Sequence, residues 1–160
     1  MTNTTDMKRI GSMDTVADEF IWKGAFGLIS KELGKSVGSE QLYANLDIVP
    51  PGAHSTKYHS HSRQEEFFFI LSGNGTLRLN DKELQVGTGD FFAKPAGKGI
   101  THTFYNSSSQ NLLILDVGTR PEEDTCYYPD EDMYLHRMNG ICQKYSGKTL
   151  DDDWSANPDT

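Results

Sequence analysis

The sequence predicts an all-β domain folded into a sandwich or closed barrel. Three observations predict it: apolar residues alternate with period two through the middle of the chain, turn residues interrupt that alternation at short intervals, and no long amphipathic helix separates the segments. The composition agrees, with Gly 15 and aromatic residues at 11% of 160, as short strands and tight turns require. That length suits one domain able to bury a core without disulfides.

Taken in order, residues 1–11 are polar and read as a frayed terminus. Residues 13–22 carry the one faint helical signal. A strand follows, with Leu42, Ala44, Leu46 and Ile48 on one face and Gln41, Tyr43, Asn45 and Asp47 on the other. Pro50-Pro51-Gly52 ends it. Further strands are expected over residues 66–71, 76–79, 83–86, 91–93, 100–105 and 112–117, separated by Gly, Pro, Asn and Asp. Asn74-Gly75 and Asn80-Asp81 suit positive-φ hairpin turns. From Asp151 the chain reads as an acidic tail. The expected division is an N-terminal extension over residues 1–24, a barrel over 25–146 with its core motifs at 51–106, and a tail over 147–160.

The formal net charge is -8, and Lys and Arg form no cluster, which argues against nucleic acid and against an anionic membrane surface. The first residues lack the apolar segment of a signal peptide, and no apolar run approaches a membrane span. A cytoplasmic protein is expected, with Cys126 and Cys142 as free thiols, although their spacing alone does not show whether they pair.

His59-Ser60-His61 lies in an extended segment, and residues two apart on a strand project to one face, so both imidazoles can converge on a point. Glu66 opens the next strand and His102 lies on a later one. Three imidazoles and a carboxylate suit one divalent transition metal per chain: Fe, Mn, Ni, Co or Zn. Four protein ligands on an ion that accepts six leave positions for a small molecule. The plainer reading makes the histidine pair an exposed polar strand, Glu65 and Glu66 surface charge, and His102 a hydrogen-bonded core residue. Against it, Phe67-Phe68-Phe69-Ile70-Leu71 follows Glu66 directly, so that carboxylate enters an apolar strand and needs a partner there.

From Pro51 to Asn106 the chain resembles the cupin superfamily. Gly52, six residues, His59-x-His61, four residues, Glu66, six residues and Gly73 correspond to its first motif. Gly89, five residues, Pro95-x-Gly97, four residues, His102, three residues and Asn106 correspond to its second. Two departures lie in loops: one extra residue before His59 and two before His102. The segments Gly118-Thr119-Arg120-Pro121 and Tyr127-Tyr128-Pro129-Asp130 resemble stand-alone single-domain bacterial cupins of no settled activity.

The resemblance implies a single double-stranded β-helix, or jelly-roll, barrel binding a metal through His59, His61, Glu66 and His102. Alternation places Lys57 on the face of the histidine pair, Phe68 and Ile70 on that of Glu66, and Phe104 on that of His102. Lys57 is either a contact for an anionic substrate or a rim residue, and the three apolar residues are barrel packing or a cavity wall. His54 and His136 are expected at the surface, and neither cysteine has a histidine at ligand spacing. The expected function is an enzyme acting on a small polar molecule (dioxygenase, isomerase or decarboxylase type), the alternative a non-catalytic small-molecule binding or sensing module. A homodimer is expected, against a monomer whose residues 19–33 cover its own sheet edge.

Overall fold

The computed structural model describes residues 10–149. Most of the polar start and the acidic tail from Asp151 lie outside the described residues.

Strands dominate: β1 (Glu19–Lys23), β2 (Phe26–Glu32), β3 (Leu42–Val49), β4 (Ser60–His61), β5 (Glu66–Ser72), β6 (Asn74–Leu79), β7 (Lys82–Gly87), β8 (Phe91–Lys94), β9 (His102–Tyr105), β10 (Leu112–Thr119), β11 (Glu123–Tyr128), β12 (Met133–Met138) and β13 (Ile141–Ser146). Among the described residues the α-helix content is the single turn α1 (Leu33–Ser36) between β2 and β3. No helix among the described residues is long and apolar enough to cross a membrane.

Where the sequence hints at a helix over residues 13–22, the chain makes a 3-10 turn at Met13–Thr15 and then β1. The run Phe20-Ile21-Trp22 is aromatic and β-branched, and once β2 offers an edge to pair with, the extended form wins. The β11–β13 meander escapes the sequence reading because its residues are partly exposed on both faces, so no apolar alternation marks it.

Among the described residues the named strands pair antiparallel, in sheets ordered β1-β2-β3-β10-β5-β8, β7-β6-β9 and β13-β12-β11-β4. β3 and β10 are paired along their whole length, from Val49 opposite Leu112 to Leu42 opposite Thr119. Between the first two sheets lies the core, with Val49, Phe68, Ile70, Leu77, Phe104, Leu112 and Ile114 buried. Each such side chain contributes about 1.5–3 kcal/mol by leaving water.

Two turns decide how the sheets meet. Asn80 and Asp81 have φ of 47° and 61° and close the β6–β7 hairpin, as their identity suggests. Asn74-Gly75 is not a hairpin turn, because β5 and β6 belong to different sheets. The corner between them is Gly73, at φ 85°, where a Cβ would come within 2.4 Å of the Asn111 carbonyl oxygen, so only glycine fits. Asn106 pins the loop beyond β9: fully buried, it donates through Nδ2 to the carbonyls of Val49 at 2.7 Å and Gln110 at 2.6 Å.

Candidate metal centre

Four chain segments meet at one end of the core. His59 lies opposite His102 in a short antiparallel bridge, with His59 N–H to His102 O at 3.2 Å and His102 N–H to His59 O at 3.0 Å. β4 pairs with β11, which sets Cys126 opposite His61. Glu66 opens β5 opposite Lys94, the last residue of β8. The β5 register turns Glu66, Phe68 and Ile70 inward, while Phe67 is 40% exposed.

The imidazole protons of the pair are fixed by their neighbours. His59 Nδ1 lies 2.7 Å from the Lys57 carbonyl oxygen, which can only accept, so the ring carries its proton there. His61 Nδ1 lies 2.6 Å from Asp124 Oδ2. Burial pushes the Asp124 carboxyl up, but hydrogen bonds from His61 and from the Arg63 and Gln64 amides outweigh it and hold the group far below the usual range. Asp124 is therefore an ionised acceptor and His61 also holds its proton on Nδ1. Both Nε2 atoms then present bare lone pairs, and they lie 3.0 Å apart. Burial, with Lys94 and His61 adding to it, lowers the His59 pKa to about 4, so that ring is neutral near neutral pH. Two aimed lone pairs beside a carboxylate, each ring held from behind, make a cation-binding arrangement.

Glu66 completes it. His59, His61 and Glu66 offer one ligand atom each, all within 4.8 Å of one another. Burial raises the Glu66 pKa, yet Lys94 and His61 win and the net shift is downward. Its Oε2 accepts from Lys94 Nζ at 2.7 Å, and its Oε1 accepts from the Tyr43 hydroxyl at 2.9 Å. Asp116 Oδ1 lies 3.0 Å from the same hydroxyl, and burial with Asp47 and Glu66 nearby raises Asp116 well above the carboxylate range. The one Tyr43 hydroxyl proton thus faces two carboxylates, Glu66 and Asp116.

His102 stands beside this group rather than in it. Its ring centroid is 5.1 Å from that of His59, and its Nδ1 lies 2.7 Å from Lys94 Nζ. An ammonium only donates, so this contact puts the His102 proton on Nε2. Phe68 packs against the His102 ring at 4.7 Å and, with Ile70 and Phe104, forms the buried floor. Lys57 is half-exposed at the mouth and paired with Glu131. A cavity of about 320 Å³, lined by Trp22, Lys57, Tyr128 and others, opens onto His59, whose ring stacks with Tyr128 at 5.6 Å.

Three sequence expectations change. His54 is not a free surface residue: its ring is packed between Phe26 and Tyr105, at 5.5 and 4.6 Å. His136 is partly covered and lies 2.9 Å from the Thr125 hydroxyl. Cys126 does have a histidine neighbour, His61 Nδ1 at 3.3 Å, because strand pairing rather than sequence spacing brings them together. Both cysteines are free.

Residues the sequence reading missed are Lys94, Tyr43, Asp124 and Tyr128. Lys94 offers a signal in hindsight, since alternation along Phe92-Ala93-Lys94 puts it on the side of the buried Phe92. Asp124 and Tyr128 offer none, as they come from β11.

Comparison with known proteins agrees with this architecture. The sequence profile of the Cupin domain matches residues 45–118. The chain is 30% identical over 90 residues to the oxalate-binding protein of Thermotoga maritima, covering 56% of this chain and 69% of that protein. Among solved structures it is similar to a putative sugar phosphate isomerase from Acidithiobacillus ferrooxidans, with TM-score 0.85 and 26% identity over 91% of this chain and 97% of that one. It is also similar to a sugar phosphate isomerase from Silicibacter pomeroyi, with TM-score 0.79 and 28% identity over 89% and 96% of the two chains.

Proposed function

The chain belongs to the cupin family, and on that premise we propose that it is a metal-dependent isomerase of a small phosphorylated sugar. The observation that carries the reading is the pair of bare Nε2 atoms of His59 and His61, 3.0 Å apart beside Glu66 and at the end of an open cavity. The donor set is mixed nitrogen and oxygen, which suits Fe, Mn, Co, Ni or Zn. Such an ion supplies Lewis acidity toward a carbonyl or hydroxyl oxygen.

The chain's own residues divide the remaining work. His59, His61 and Glu66 would hold the ion, and His102, opposite His59, would supply a fourth nitrogen. Asp124 and the Lys57 carbonyl keep the first two rings turned. Tyr43 fixes Glu66 by donating to Oε1. Phe68, Ile70 and Phe104 close the floor against water. Support for the isomerase class comes from the two similar structures, which extend over about nine-tenths of this chain. Assembly as a homodimer belongs to the same reading, since β1 ends the large sheet and leaves Phe20 at 72% and Trp22 at 57% exposure; sedimentation at micromolar concentration tests it.

The test is elemental analysis of protein purified without added metal, followed by NMR detection of aldose–ketose interconversion over a panel of sugar phosphates. One ion per chain and turnover that disappears in Glu66→Gln are expected. A metal-free protein that ignores added Fe, Mn, Co, Ni and Zn would sink the proposal. Stabilisation by oxalate without turnover of any sugar phosphate would favour the binding module, which the resemblance to the oxalate-binding protein supports.

A further inference from the structure

The chain is acidic, with 23 Asp and Glu against 15 Lys and Arg, yet cations gather around the approach to His59. Lys23 and Lys57 line the cavity of about 320 Å³ that opens onto His59. A second cavity of about 370 Å³ shares Lys23, Lys57 and Tyr128 with the first and adds Lys144. The two adjoin through these shared residues, and the Tyr128 ring is stacked on that of His59.

The charges there do not cancel. Lys57 pairs with Glu131, the one acidic residue lining either cavity. Lys23 and Lys144 have no ion-pair partner among the described residues, whereas Lys31, Lys35 and Lys94 each have one. The three cations come from separate parts of the chain: Lys23 ends β1, Lys57 precedes β4, and Lys144 lies on β13. Three ammoniums against one carboxylate leave a local positive excess, which concentrates an anion at the mouth of an otherwise acidic molecule.

We propose that Lys23, Lys57 and Lys144 form an anion subsite that holds the phosphate of the substrate while its hydroxylated end reaches His59. The inference deepens the isomerase reading and rests on it for the substrate, but the subsite itself needs no metal. Glu131 acts as a latch: it occupies Lys57 in the empty site, and an arriving phosphate must take its place. Tyr128, between the two cavities, offers a ring face for the carbon chain to pass over.

The experiment titrates inorganic phosphate into metal-free protein by calorimetry at fixed ionic strength, with chloride as the competing anion. Wild type is expected to bind phosphate, and the double variant Lys23→Ala/Lys144→Ala to bind it roughly tenfold more weakly, since two of three nearby cations are gone. Lys35→Ala, which removes a lysine remote from the mouth, serves as control and should leave binding unchanged. Glu131→Gln should bind phosphate more tightly by freeing Lys57. Equal weakening by Lys35→Ala, or a double variant that binds like wild type, overturns the subsite. Because phosphate binding is read without metal, a protein that binds phosphate through these lysines but takes up no metal fails the metal reading and not this one. Where turnover is measurable, the double variant should raise KM for a phosphorylated sugar and leave that of its unphosphorylated counterpart unmoved; equal effects on both overturn the assignment to the phosphate.

Discussion

Lys94 Nζ lies 2.7 Å from Glu66 Oε2, and both side chains are buried in the barrel, 3% and 6% exposed. The lysine serves as the positive charge for a carboxylate that would otherwise be stranded among aromatic rings. It also touches His102 Nδ1, so one ammonium holds two of the residues expected to bind a metal. An ion bound by Glu66 would therefore compete with the lysine for the same carboxylate.

Replacing Lys94 by Met separates these roles. Removing one partner of a buried pair leaves an uncompensated charge, so metal-free Lys94→Met should lose about 3–5 kcal/mol of stability. Added divalent metal should restore most of it and bind more tightly than to wild type, with no lysine to displace. Urea unfolding with chelator and with metal measures both. A variant as stable as wild type in chelator would show that Glu66 is not relying on Lys94.

Glu65 and Glu66 make a matched pair of controls, one exposed and one buried. A ligand that binds only the folded state stabilises it by about 2.7 kcal/mol at one hundred times Kd. Glu66→Gln keeps the volume and should lose most of that metal-dependent rise in melting temperature. Glu65→Gln should keep it. The reverse result would place the ligand one residue earlier.

What the sequence discloses here depends on whether a residue's neighbours are local. The inward orientation of Glu66 follows from the apolar run behind it and from period-two alternation, and the strand shows Glu66 buried with Phe67 turned out. The His59–His102 bridge joins residues 43 apart in sequence, and nothing local in either segment announces it. The groups that set the chemistry are less visible. Asp124 reaches His61 across 63 residues of chain, through a ladder of two residue pairs between β4 and β11. No periodicity announces so short a pairing. Tyr43 and Asp47 lie on the polar side of β3, the side a hydropathy argument turns to solvent, yet Tyr43 is buried and Asp47 is hydrogen-bonded to Ser30. A barrel that carries a polar site inside inverts the rule on the strands that face it.

Asn106 tests whether the second motif's last residue serves the fold or the site. Its side chain donates to Val49 and Gln110 carbonyls and accepts from the Ser108 amide at 3.0 Å, with no contact to the metal group. Asn106→Ala removes the side-chain donor to the Val49 carbonyl, empties a fully buried position and should cost about 3 kcal/mol. Protein that still folds should bind metal as wild type does. Lost metal affinity at unchanged stability would move Asn106 from the fold to the site.

Asp47 gives the pH test. Burial raises its pKa from 3.8 to about 6, with the Ser30 hydroxyl pulling against that and Glu66 adding to it. In the unfolded chain the group titrates at its ordinary value. Between the two values the folded state holds a proton that the unfolded state has released, so this residue's contribution favours folding below about pH 4 and is lost as pH rises through about 6. A shift of that size corresponds to up to about 3 kcal/mol, and partial exposure of the residue reduces it to about 2. Asn at this position carries no charge and still offers an oxygen to Ser30, whose hydroxyl lies 2.6 Å from Oδ1. Asp47→Asn should therefore match wild type near pH 4 and exceed it by about 2 kcal/mol at pH 7. Urea midpoints measured on both proteins across that range, in chelator, give the difference directly. A difference that stays flat with pH would mean that Asp47 ionises in the barrel as easily as in water.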